Sequence, residues 1–336
     1  MPKALSIAIP CYNVEAYLEK GLSHYCIAGL EDSCEVIIVN DGSHDGTSAI
    51  ANRFVAKNPR LFRLVEKPNG GHGSAINAGL AQAQGRYFRV IDGDDWVEGT
   101  ALADLVERLQ GLDCDLVVDE RTEVEKVSGK ATHYPIPGYV PTNKVCAFDD
   151  VCTRDDVGSF ITIHSLVAKT AFLLNQGLQL LEHAFYVDYE YILKATAPAR
   201  DVMFLRIPVY QYLVGNSAQS VSDANYVRRW DDHTRVTHEV LRFCEALAAD
   251  PGVSDTRKAY AQHKANLLIN THYNISLIFD QDRKRGLARA KEFRAFLKKH
   301  HPDRAHDTET RYYQARFLHS IGFKSQKDLD LLTKRP

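Results

Sequence analysis

The stretch Tyr87-Phe88-Arg89-Val90-Ile91-Asp92-Gly93-Asp94-Asp95-Trp96 runs from an apolar strand straight into three carboxylates. A strand that buries Phe88, Val90 and Ile91 cannot also bury three unpaired charges, so the carboxylates belong at its C-terminal mouth, facing something positive. Asp92 and Asp94 flank Gly93, whose missing side chain lets the backbone turn, and both can converge on one hard divalent cation. Such a cation takes oxygen ligands and keeps positions open for substrate phosphates. The competing account is helix capping, because Asp95 precedes a helix-like run over 99–110 and acidic residues suit a helix start. Capping explains one aspartate, and Asp95 is the one placed for it. Three at one strand end point to metal and phosphate.

Upstream, the same grammar repeats. Leu5 to Ile9 reads as a buried strand closed by Pro10-Cys11-Tyr12-Asn13, and a helix pattern follows from Glu15. Val36 to Val39 is a second strand ending in Asn40-Asp41-Gly42-Ser43, before a helix beginning near Thr47. Leu61 to Val65 is a third, followed by Lys67-Pro68-Asn69-Gly70-Gly71-His72-Gly73-Ser74 and a helix from about Ala75 to Ala83. Strand, polar loop and helix in this repeat predict a parallel sheet covered on both faces. Ligands of such sheets bind outside the carboxyl ends of the strands, so Tyr12, Asn13, Asp41, Ser43, Asp92 and Asp94 are delivered to one rim. The glycine loop offers backbone N–H groups to an anion, but it lacks a third glycine and reads equally well as a turn.

Downstream the pattern changes. Leu116-Val117-Val118 is another strand, Val124 to Tyr134 can pair in a hairpin, and Ile161 to Val167 alternates like a strand. Its His164 either faces the site or is a hydrogen-bonded sheet histidine. Asp188 fits a helix N-cap and Glu190 the first turn after it, and position alone favours capping. Val202 to Tyr210 is a last strand, leading into a polar loop that ends at Ser222. Beyond it only helical patterns remain, and 223–336 reads as a helical appendage. Between Arg283 and Arg304 lie nine Lys or Arg against Glu292 and Asp303, which suits a solvated helix face or, as the alternative, contact with anionic lipid.

Composition bounds the rest. The 336 residues are 45% apolar and 25% charged, enough for a large domain plus an accessory piece or for two domains. A net charge of −2 excludes a nucleic-acid binder that works by bulk charge. Seven cysteines with no C-x-x-C pair suggest neither a zinc site nor a disulfide framework, which fits a reducing cytoplasm. No stretch has the ~18 apolar residues of a membrane span, so any membrane contact is expected to be peripheral.

Across residues 4–222 the order of motifs resembles family 2 glycosyltransferases of the GT-A fold. The carriers are Ile9-Pro10-Cys11-Tyr12-Asn13, Val39-Asn40-Asp41-Gly42-Ser43, Asn69-Gly70-Gly71-His72-Gly73 with Asn77, Asp92-Gly93-Asp94-Asp95, Tyr186-Val187-Asp188, and Tyr210-Gln211-Tyr212 before Gln219-Ser220-Val221-Ser222. The resemblance implies an α/β fold with a Rossmann-like, mostly parallel sheet flanked by helices. It divides the chain into a domain over 1–222, with a nucleotide-sugar half (1–112) and an acceptor half (113–222), and the helical region 223–336.

It also implies an inverting transfer from a nucleotide-diphosphate sugar, a UDP-sugar first, to a glycan or lipid-linked hydroxyl, with Mn²⁺ or Mg²⁺, in polysaccharide or glycolipid synthesis at the cytoplasmic side. By position, Pro10, Tyr12 and Asp41 look like the wall for base and ribose, and Asn13, Ser43, Lys67, Gly73 and Asn77 complete the donor pocket. Gly93 also belongs to the donor pocket, Asp92 meets the ribose side and, with Asp94, the metal, while Asp188 matches the general base. Asp95, His164, Gln219 and Ser220 are expected near the acceptor or diphosphate. Two positions depart from the pattern: Val187 precedes the base where an acid is usual, and Leu213 stands where a cation often follows Tyr-x-Tyr. Lys67, Arg89 or the 219–222 loop is the expected substitute for that cation. Two rival readings are a non-catalytic nucleotide-sugar-binding subunit and a sugar-1-phosphate nucleotidyltransferase, which would want a basic glycine-rich loop after the first strand.

Overall fold

The computed structural model describes residues 3–153, 155–215 and 222–333. Ten strands form one sheet: β1 (Leu5–Cys11), β2 (Cys34–Asp41), β3 (Phe62–Lys67), β4 (Tyr87–Val90), β5 (Trp96–Val97), β6 (Leu116–Glu125), β7 (Ala131–Tyr134), β8 (Val145–Ala147), β9 (Leu166–Lys169) and β10 (Asp201–Val214). Their order is β3-β2-β1-β4-β9-β6-β10-β5, with β7 on β6 and β8 on β10. β1 pairs parallel to both β2 and β4, and β2 to β3, as the repeat predicted. β9 runs antiparallel between β4 and β6.

Both β1 and β2 are buried along their whole length, which is why they read as continuous apolar runs. Helices α1 (Glu15–Ser23), α2 (Thr47–Lys57) and α3 (His72–Gln82) connect the first four strands. Leu18 and Leu22 of α1 meet Ile7, Val36 and Ile38 in one cluster, where each fully buried aliphatic side chain stabilises by about 1.5–3 kcal/mol. Helix α4 (Gly99–Gln110) buries Leu102, Leu105 and Leu109 at helical spacing in the same cluster.

Two elements differ from expectation. α3 begins at His72, so half of the glycine loop is the first turn of a helix. The alternating run Ile161 to Val167 is a strand only from Leu166. Residues 163–165 form a turn, closed by Ser165 N–H donating to Thr162 O at 3.0 Å, which lifts His164 out of the ladder.

The chain forms two compact units, one of residues 1–217 with 252–257 and the other of 218–251 with 258–336. Residues 252–257 join the first unit through Arg257, which donates to the carbonyls of Pro198 (2.9 Å) and Ala199 (3.2 Å) and lies 3.3 Å from the Asp149 carboxylate. The second unit is helical. In its core His272 stacks on Trp230 at 3.8 Å, meets Phe293 edge-on at 4.1 Å, and shares a 2.8 Å Nδ1–Nδ1 hydrogen bond with His233. Gly286 lets a helix pass the carbonyl of Ser276, since a Cβ there would lie 2.0 Å from that oxygen.

Candidate active site

The strand ends of the first unit meet at one rim. Asp41, at the end of β2, is nearly fully buried and accepts four hydrogen bonds: from Lys67 Nζ (2.6 Å), Asn69 Nδ2 (3.1 Å), Gly70 N–H (2.9 Å) and Gly71 N–H (2.7 Å). Its carboxylate therefore shapes the glycine loop, and the Lys67 ammonium is spent on it. Gly71 takes φ 85°, a conformation that favours glycine. Asn13 and Ser43 tie the ends of β1 and β2 together, the Asn13 N–H donating to Ser43 Oγ at 3.0 Å while Asn13 Oδ1 accepts from His44 N–H at 2.8 Å. Pro10 is buried within β1, while Tyr12 stands 49% exposed beyond its end.

Residues over a hundred positions away are stitched to this loop. Asn77 donates to Leu180 O at 3.0 Å and accepts from Leu180 N–H at 2.9 Å, and His183 N–H donates to Gly70 O at 2.5 Å. Gly73 makes the approach feasible, because a Cβ there would sit 2.2 Å from Leu181 O. Asn77 and Gly73 thus carry the segment that leads into helix α5 (Val187–Thr196), on which Asp188 sits.

The three carboxylates separate in role. Asp95 is buried, accepts from Tyr210 Oη–H (2.6 Å) and Leu213 N–H (2.8 Å), and fastens the end of β10. It does not cap α4. Glu98 does, accepting from the N–H groups of Thr100 (3.2 Å) and Ala101 (2.6 Å), because it sits at the Ncap position and Asp95 is three residues too early. Asp92 accepts from His72 Nε2 at 2.9 Å, its own N–H donates to Tyr210 Oη at 3.1 Å, and His164 Nε2 lies 3.9 Å from its other oxygen. Burial opposes the charge on Asp92, but His72 outweighs it and holds the carboxyl below its usual range. Burial and then the charge of Asp92 push Asp94 up to about 6. Gly93 lets this turn fold over β1, since a Cβ would lie 2.9 Å from Pro10 O.

Asp188 is half-exposed in the first turn of α5. The Ncap is Tyr186, at φ 68° and without a side-chain cap, so Asp188 is not the capping residue that position suggested. Instead its carboxylate faces His72 Nδ1 at 3.5 Å. One imidazole therefore spans Asp92 and Asp188. Burial alone would lower its pKa, but the two carboxylates overcome this and push it up to about 10, so the ring carries a charge at neutral pH. Glu190 is buried, accepting from Leu181 N–H and pairing with Lys194 at 2.6 Å.

His164 stacks on Tyr212 at 4.3 Å and meets Tyr210 edge-on at 4.8 Å, and burial holds its pKa down. Beneath it, fully buried Arg89 grips Asp119 with two nitrogens and donates to His164 O at 2.7 Å. Arg89 is thus committed to Asp119 and His164, while Lys67 pairs with Asp41 and keeps a partly exposed side chain. Gln219 and Ser220 lie outside the described residues. His72 and Tyr210 are the site residues that sequence reasoning undervalued, and the signal for His72 was a titratable ring set between glycines at a helix start.

Carboxylates at this rim fit a hard divalent cation. One ligand atom each from Asp92, Asp95 and His164 lies within 4.8 Å of the others, and both Asp94 and Asp95 are pushed above their usual range by burial and by neighbouring carboxylates. That surplus of negative charge asks for a cation, and oxygen donors suit Mn²⁺ or Mg²⁺.

Comparison with known proteins agrees with this geometry. The family model for glycosyl transferase family 2 matches residues 6–164. Glycosyltransferase EpsJ of Bacillus subtilis is 35% identical over 113 residues, 34% of this chain and 32% of EpsJ, so the chain matches about a third of that relative. The structure of S. aureus TarS 1-349 in complex with UDP-GlcNAc aligns with 95% of this chain and 92% of its own length at TM-score 0.64 and 17% identity. Mannosyltransferase PcManGT from Pyrobaculum calidifontis, in complex with GDP-Man and Mn²⁺, aligns with 96% of this chain and 88% of its own at TM-score 0.52 and 17% identity. The fold is the expected GT-A architecture with a helical C-terminal region, and residues 6–164 match the glycosyl transferase family 2 domain.

Proposed function

We propose that the protein transfers a sugar, with inversion, from a UDP-sugar to a hydroxyl of a glycan or lipid-linked acceptor, with Asp188 as general base. The observation that carries this reading is the His72 ring, which faces Asp92 with one nitrogen and Asp188 with the other and so sets the two carboxylates on one cleft. An acceptor hydroxyl is a poor nucleophile at neutral pH, and Asp188, half-exposed at a helix start, is open to receive its proton as the new bond forms. Asp92 and Asp94 would hold the divalent cation, with His164 beside them; when bound, the cation neutralises charge developing on the leaving diphosphate. The UDP-GlcNAc in TarS and the GDP-Man and Mn²⁺ in PcManGT support a nucleotide-sugar donor and a metal.

A panel of UDP-sugars with Mn²⁺, followed by UDP release with and without candidate acceptors, tests the reaction. Asp188→Asn is expected to lose transfer by at least ~10²-fold while keeping donor affinity by calorimetry. Asp94→Ala is expected to lose metal-dependent donor binding. Full transfer by the Asp188 variant removes the assigned base, and donor binding by a wild-type chain inert towards every acceptor favours a non-catalytic subunit.

A further inference from the structure

We propose that the second unit docks on an anionic lipid surface through one face of helix α6 (Glu309–Ser320) and the residue that follows it. Tyr313, Phe317 and Ile321 are 54%, 63% and 55% exposed and recur every fourth residue, so they form a single apolar stripe. The helix already buries Tyr312, Ala315 and Leu318 on its inner side, which leaves the stripe as a second apolar face with nothing of this chain to cover it among the described residues.

Charge identifies the occupant. Residues 283–327 hold thirteen Lys or Arg against four Asp or Glu, although the whole chain is −2. Arg316 precedes Phe317 in the same helix, Lys324 and Lys327 follow Ile321 by three and six residues, and all three are exposed. The only acid of the helix, Glu309, is paired with Arg294 at 2.7 Å, and Asp328 is turned onto the Lys324 N–H at 2.8 Å. On helix 283–300, Lys284, Lys291 and Lys298 repeat every seven residues on the exposed side, with Asp282 beside Lys284 at the helix start.

Aromatic and aliphatic side chains rimmed by cations are the composition of a helix lying in a membrane interface, where the apolar face enters the acyl boundary and the cations meet anionic headgroups. A second copy is the poorer occupant. A two-fold contact would press one cationic rim on its equal, and three side chains of one helix fall well short of the ~800 Å² per partner of a stable interface. No described helix is long and apolar enough to cross a bilayer.

Vesicle flotation of the full chain tests this without donor or acceptor, so its outcome is independent of the transfer reading. Binding is expected to phosphatidylglycerol-containing vesicles, roughly tenfold weaker to pure phosphatidylcholine and weakened by salt. The variant Tyr313→Ser/Phe317→Ser/Ile321→Ser is expected to lose at least about tenfold in binding with an unchanged circular dichroism spectrum, since all three side chains point away from the core. Failure of the wild type to float with anionic vesicles, or equal binding by the variant, overturns the proposal. So does a dimer, by sedimentation, that the same three substitutions dissociate.

Discussion

His72 is held by two carboxylates from different parts of the chain, and its neighbour in the site, Asp94, carries the opposite problem of too little positive charge. Burial and the charge of Asp92 hold the Asp94 carboxyl up to about 6, above its ordinary 3.8. A carboxyl whose pKa rises on folding favours the fold while protonated. That contribution is complete below about pH 4 and is lost as pH climbs through about 6. The metal-free protein is therefore expected to lose denaturant stability over this window relative to Asp94→Asn, and saturating Mn²⁺ should erase the difference. Equal pH slopes for the two proteins would show that Asp94 bears no such load. At this scale sequence reasoning reached the residue types but not their partners: Asp41 and Lys67, both expected in the donor pocket, also meet each other across the ends of β2 and β3.

At the scale of elements, the site depends on how closely α3 meets the 180–183 segment. An alanine methyl at Gly73 would collide with the Leu181 carbonyl, a backbone atom that cannot swing aside. Gly73→Ala is expected to cost about 1–3 kcal/mol in urea unfolding and to weaken donor binding. Gly111→Ala, where nothing lies within 4 Å of the added methyl, serves as the control and should be close to neutral. A Gly73 variant as stable and active as the wild type would mean the segment moves freely. Strands β1 to β4, β6 and β10 and the helices of the repeat were legible because periodicity reports burial directly, whereas the short strands β5 and β8 carry no such pattern. The 161–167 run was misread because alternation of apolar residues cannot distinguish a strand from a turn whose hydrogen bonds come from Ser165.

The whole molecule is two compact units, and the helical one has a titratable core. Burial lowers His233 to about 3 and His272 well below its usual value, the latter also through the neighbouring His233 and His238. A base whose pKa falls on folding contributes stability that is present above about pH 6.5 and lost as pH drops toward 3, because the unfolded chain takes up the protons. Scanning calorimetry is expected to show the transition of the helical unit moving to lower temperature over that range. His233→Leu/His272→Phe should flatten the dependence, and an unchanged slope in that variant would place the sensitivity elsewhere. Neither histidine of this core was visible in the helical periodicity of 223–336, since histidines on an apolar face carry no mark of whether they are buried.

The amino-acid sequence by itself determined the layout of the first unit: which runs are strands, where each ends in polar residues, and that Asp92 and Asp94 lie at a strand mouth. These follow from local rules, because burial of alternate or continuous apolar residues and the chemistry of Gly, Asn and Asp turns act over a few positions. Only the tertiary structure decided that His72 joins Asp92 to Asp188, that Asp95 fastens β10 instead of capping a helix, and that Arg89 is locked on Asp119. Those are long-range contacts, set by which strands become neighbours in the sheet, and no spacing along the chain encodes the distance between two side chains that meet across it.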